Sequence, residues 1–212
     1  MTLFTNESMS IESDTGKNTT RSLFWNKPWL RVHGSWQDII SLYEGQGSWI
    51  NEKNQQLIMH EFGILPRQEL SADDDSITNI LIALSEKEET ELYILLCGLM
   101  TNGCVSTMLT SQQVMWCSQI HNAIGLSSDR IHNEYIDSLF RPEYTQFNEI
   151  HHVLSAFVIM NRYGEESGFW SRYRLRFNRD LCLPEVNSKG YVDKLTYALL
   201  AVLCLLEDSK QN

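Results

Sequence analysis

Six histidines and five cysteines are the residues of this chain best suited to hold a metal or act as nucleophiles. The histidines are His33, His60, His121, His132, His151 and His152, and none falls into an HExxH pattern or a zinc-type spacing with cysteine. Cys117 and His121 stand one helical turn apart and would offer two ligands, but no second pair completes a tetrahedral set. His151 and His152 are neighbours, set about 100° apart on a helix, and are not expected to face one ion. Cys97, Cys104, Cys117, Cys182 and Cys204 form an odd set without a CxxC, mostly within apolar stretches, which is the pattern of reduced, core-packing thiols. A Cys–His catalytic pair stays open, because the fold and not the spacing assembles such pairs. There is no GxGxxG, GxxxxGK[ST] or GxSxG, so nucleotide binding and a hydrolase elbow have no support. Asp73, Asp74 and Asp75, and then Glu86, Glu88, Glu89 and Glu91, fall at expected helix starts, where carboxylates suit the positive end of the dipole.

The segment from Phe169 to Leu181 differs. Arg172, Arg174, Arg176 and Arg179 lie within eight residues of one another with no acid between them, in a chain of net charge −10. One reading is a solvated face. The other is a docking patch for an acidic partner, with Trp170 as its anchor, since guanidinium groups fork onto carboxylates and stack on aromatic rings. On the docking reading, Arg172, Arg174 and Arg176 could be changed together to Glu without unfolding the protein. Trp25, Trp29 and Trp36 cluster near the other end of the chain. They are expected first to form a corner of the core, second to dock a partner through exposed edges of Trp25 or Trp29, and last to cage a cation.

The elements that must position these groups read as helices. Ile77, Ile80, Leu81 and Leu84 fall on one helical stripe. Ser85 with Glu88 makes a capping box for a helix burying Leu92, Leu95, Leu96 and Leu99, and Asn102-Gly103 supplies the left-handed residues that end it. Further helices open at Ser111 and close at Gly125, open at Ser127 or Ser128 and stop before Pro142, and carry Phe147, Ile150, Leu154 and Phe157 on one face before Gly164. The stretch from Tyr191 to Glu207 is apolar nearly all round, as a deeply buried helix is. Earlier, SWQDIISLYEG and SWINEKNQQLIMHEFG each run from Ser to Gly as helices do. Trp170–Asp180 fits strand and helix periods alike and is read as helix. The fold class expected is all-α: a flexible tail over 1–21, then one irregular domain over 22–208 with about eight or nine helices and room for one short strand pair.

Composition narrows the function classes. The surplus of acidic residues speaks against nucleic-acid binding, which needs a basic excess, and against a polybasic membrane anchor. The most apolar stretches, Tyr93–Leu109 and Val192–Leu206, are interrupted or too short for membrane insertion, and the N-terminal residues do not form a signal peptide. A soluble protein is expected.

Three groups of residues resemble the SctK family of type III secretion accessory proteins. Pro28, Val32 and His33 match a proline followed five residues on by a histidine with an aliphatic residue before it, although Arg31 stands where the family often has tyrosine. Glu61 and Phe62, followed by Leu95, Leu96, Cys97, Gly98 and Leu99, resemble the family's acidic-Phe segment and Leu-rich helix. Trp170, Arg172, Leu175, Arg176 and Phe177 resemble its C-terminal Trp and basic-apolar motif. The resemblance implies a helical, non-catalytic adaptor without cofactors. It would sit in the cytoplasm beneath the inner membrane, joining the cytoplasmic domain of the ring protein SctD to the pod protein SctQ of the sorting platform. A secretion chaperone or other helical protein-binding module is the alternative, and a small Cys/His enzyme a more distant one.

Overall fold

Capping residues and apolar stripes set the helix boundaries. The computed structural model describes residues 20–44, 52–65, 76–104, 108–141 and 149–211. The helices in chain order are α1 (20–26), α2 (Gln37–Glu44), α3 (Glu52–Glu61), α4 (Ser76–Ala83), α5 (Glu86–Met100), α6 (Ser111–Ala123), α7 (Arg130–Leu139), α8 (Ile150–Tyr163), α9 (Gly168–Tyr173) and α10 (Lys189–Gln211). Tight 3-10 turns occupy Pro28–Leu30, Gly34–Trp36 and Arg174–Arg176. No strand occurs among the described residues, so the all-α class holds and the strand pair has no place. No helix among them is long and apolar enough to cross a membrane. Of the expected tail, residues 1–19 lie outside the described part, while 20 and 21 already belong to α1. Asp73, Asp74, Asp75, Pro142 and Phe147 also lie outside it.

α5 is the central element and shows why. Its start is the capping box read from the sequence: Glu88 N–H donates to Ser85 Oγ at 3.4 Å, and Ser85 N–H donates to Glu88 Oε2 at 2.7 Å. Leu92, Leu95, Leu96, Leu99 and Met100 are buried at 0–1% exposure, and α6, α8 and α10 pack around them. At about 25 cal/mol per Å2 each such side chain contributes about 1.5–3 kcal/mol. α8 is buried at every position from Val153 to Met160. Gly98 weakens α5 intrinsically, but a Cβ there would stand 2.4 Å from Leu109 Cδ1 and 3.1 Å from Cys117 Sγ. The missing side chain therefore lets α6 and the turn before it close onto α5.

The C-terminal end of α5 is buried, where unpaired carbonyls would be costly. Asn102 (φ 53°) and Gly103 (φ 77°) turn the chain left-handed, which returns Gly103 N–H to Gly98 O at 2.7 Å. The remaining carbonyls are met by side chains. Thr101 Oγ1 donates to Cys97 O, His121 Nδ1 pairs with Leu99 O at 2.9 Å, and His132 Nε2 pairs with Met100 O at 3.0 Å. Since Met100 O accepts only, His132 carries its proton on Nε2, and Nδ1 accepts from Tyr191 O–H at 2.9 Å.

Two expected starts move slightly. α6 is capped by Thr110, with Gln113 completing a capping box, and α7 by Asp129, whose carboxylate accepts from Ile131 and His132 N–H. Each cap lies one residue from the serine read as the start, because Thr and Asp accept the same orphan N–H groups that Ser does.

Candidate functional site

The arginine segment is where the structure departs most from the sequence reading. α9 is a helix through Tyr173, tightens into the 3-10 turn Arg174–Arg176, and leaves regular structure at Phe177. A 3-10 turn brings every third residue to one side, so alternating arginines and apolar residues need not split onto two faces as they would in a strand. Trp170 is 6% exposed, Arg172 4%, and the Arg176 side chain 7%. This is a correction for Trp170, Arg172 and Arg176, which form neither a solvated face nor an exposed docking patch, whereas Arg174 is half-buried and Arg179 exposed. Trp25 and Trp29, at 5% exposure each, likewise offer no free edge to a partner. Trp36 is buried to the same degree, so the core-corner reading of the three tryptophans holds.

Each arginine reaches back to the N-terminal third of the chain. Arg172 donates from Nε to Trp25 O at 3.0 Å and from Nη1 to Leu65 O at 2.7 Å, with its guanidinium 5.0 Å from the Trp25 ring centre. Arg174 donates to Phe62 O at 2.7 Å and lies 5.5 Å from the Trp36 ring centre. Burial pulls the Arg174 pKa down, but a guanidinium starts high enough to remain charged. Arg176 lies 4.4 Å from the centre of the Tyr173 ring and 5.6 Å from that of Phe24. Arg179 pairs with Asp38 at 2.7 Å near the surface. Two backbone links complete the clasp: His33 N–H donates to Leu175 O at 2.7 Å, and Trp36 Nε1 donates to Phe177 O at 2.9 Å.

Glu89 is the hub. Its Oε1 accepts from Tyr93 O–H and Tyr173 O–H, both at 2.9 Å, and from Arg176 Nη1; its Oε2 accepts from Arg31 Nη2 at 2.7 Å. Burial, joined by the Glu89 charge for Tyr173, raises both phenols well above the ordinary tyrosine range, so they remain donors. A buried carboxylate is tolerable only when its lone pairs are met, and here both oxygens are. The sequence reading placed Glu89 among the helix-start carboxylates and missed this role. The signal was present: Glu89 lies on the same stripe as Tyr93 and Leu96, which puts a charge on the buried face of α5.

The aromatic and aliphatic groups this clasp holds form a small second core of Trp29, Trp36, Ile58, Phe62, Ile64 and Leu175. Trp25 and Phe24 join the main core beside Phe169 and Tyr173.

The cysteines and histidines considered for catalysis sit elsewhere, and two of the thiols are packed away from solvent. Cys97 and Cys117 are buried, and burial pushes their thiols up to about 12 and about 11, away from the reactive thiolate. Cys117 donates weakly to Leu95 O, and His121 is spent on Leu99 O, so this pair is packed into α5. Cys104, Cys182 and Cys204 are exposed. His151 and His152 do not point apart as their spacing implies: their ring centres are 4.3 Å apart. Their rotamers bring the two rings together across the 100° between their Cα–Cβ bonds.

Fold and site together define an all-α protein whose first and last thirds are joined by an internal arginine–aromatic clasp. Neither family models, nor curated proteins, nor solved structures yield a match to this chain.

Proposed function

We propose that the protein is a non-catalytic cytoplasmic adaptor of a type III secretion sorting platform, linking the cytoplasmic domain of the ring protein SctD to the pod protein SctQ. The observation that carries this reading is spatial. Of the four stretches that resemble the SctK family, Pro28–His33, Glu61-Phe62 and Trp170–Phe177 are far apart in sequence, yet the clasp joins them through His33 to Leu175, Arg174 to Phe62, and the shared core around Trp29, while Leu95–Leu99 packs in the main core. Residues shared through one packing unit would occur together in order and spacing, as they do in the resemblance. The burial of Cys97 and Cys117 speaks against those two thiols as nucleophiles. With Arg172, Arg174 and Arg176 turned inward, their part in the adaptor is to hold its shape.

The test is co-purification of the full chain, at matched ionic strengths, with the SctD cytoplasmic domain and separately with SctQ. A stable complex with either supports the adaptor. Failure with both by a folded, monodisperse sample overturns it, and capture of an unfolded export substrate instead favours a chaperone.

A further inference from the structure

The turn where the chain enters α8 carries a second constellation that the adaptor reading does not use. Glu149, His151 and His152 each offer one ligand atom, and the three atoms lie within 4.8 Å of one another. Glu149 Oε2 is 3.1 Å from His151 Nε2. Two ligands bonded to Zn2+ at about 2.0–2.1 Å in a tetrahedral site stand about 3.3 Å apart, so this pair already has the span of one coordination edge. The Glu149 side chain is 68% exposed and free to swing, whereas His151 is 8% exposed and held. His152 is held too, packed edge-on against Tyr93 at 5.4 Å.

The contrast with the other buried histidines is informative. His121 and His132 each spend a ring nitrogen on an α5 carbonyl. No described residue hydrogen-bonds the ring of His152, and His151 has only Glu149 as an ionic partner.

We propose that Glu149, His151 and His152 bind one divalent ion of the zinc class, leaving a coordination position open on the exposed Glu149 side for water or a further ligand. Two imidazoles and one carboxylate suit zinc, and the donor set is wrong for calcium or magnesium, which favour oxygen alone.

The test uses the full chain carrying C104S, C182S and C204S, so that exposed thiols do not compete. Chelator-treated protein is titrated with Zn2+ against a chromophoric chelator, and with Co2+ followed by its visible spectrum. One ion per chain is expected, with weakening of about tenfold or more in E149Q, equivalent to about 1.4 kcal/mol, and loss of stoichiometric binding in H152N. E149Q alters an exposed side chain, so its metal-free melting temperature should be unchanged, which keeps the test valid if H152N folds poorly. Absence of Zn2+ binding, binding indifferent to E149Q, or a thiolate charge-transfer band from Co2+ would overturn the proposal.

Discussion

Removing the Glu89 carboxylate should damage the protein more than removing Glu89 and its buried arginine together. In Glu89→Ala, four donors lose their acceptor. Arg176 matters most, because its side chain is 7% exposed and would become a lone buried charge. Breaking a buried pair by deleting one partner costs about 3–5 kcal/mol. Tyr93 and Tyr173 each lose one acceptor; a buried hydroxyl left unpaired costs about 1–3 kcal/mol, and partial relaxation brings this to the lower end. Arg31, with a side chain 30% exposed, can turn to water and adds little. The total expected is about 5–7 kcal/mol, a large share of the roughly 5–15 kcal/mol that holds a typical domain together. Arg176→Met alone leaves Glu89 with three donors and should cost less. The double variant E89A/R176M removes both charges, so its loss should fall about 2 kcal/mol or more short of the sum of the singles. Urea unfolding of the four proteins, followed by tryptophan fluorescence and far-UV circular dichroism, closes the cycle. Additive losses, or a loss below about 1 kcal/mol for E89A, would mean that the hub does not hold the clasp.

Two further outcomes follow from groups on α5 and its neighbours. Under native conditions a thiol reagent should modify Cys104, Cys182 and Cys204 readily and Cys97 and Cys117 only in denaturant; fast native labelling of Cys97 or Cys117, read by peptide mass mapping, would refute the inert-thiol account. His132 is held neutral, with burial first and then His121 lowering it to about 4. Because the unfolded chain binds this proton near the ordinary value of about 6.5, its contribution is complete above that pH and is lost progressively as pH falls toward about 4, a swing on the order of 3 kcal/mol. Unfolding midpoints across that range should flatten in H132A relative to the parent, and an unchanged slope would show that His132 is not the group responsible.

The parts of the structure legible in the sequence are those whose cause is local. Ser85 and Glu88 cap α5 because they are three residues apart, and Asn102-Gly103 ends it because those residues adopt positive φ at little cost. The burial of Trp25, Trp29 and Trp36 was legible as well, from the cost of leaving indoles in water. The clasp was not, because its acceptors are backbone carbonyls of Trp25, Phe62 and Leu65, and a carbonyl leaves no mark in a sequence. Four arginines in a short run look the same whether they face water or reach such groups across the core. The carboxylates that receive Arg176 and Arg179, Glu89 and Asp38, come from remote segments. His151 and His152 were misjudged for a different reason: the 100° step fixes only where their Cα–Cβ bonds point, and side-chain rotamers bring the two rings to 4.3 Å.

The clasp also imposes an order in time. Trp25 and its neighbours leave the ribosome early, whereas Arg172, which closes over Trp25, follows 147 residues later. At synthesis rates of about 5–20 residues per second, that interval lasts about 7–30 s. Throughout it Trp25 lacks the guanidinium that closes over it, while α4 to α8 emerge and can begin to pack. A nascent chain stalled before residue 172 would present an unfinished surface of indole rings and unpaired carbonyls, well suited to capture by a chaperone.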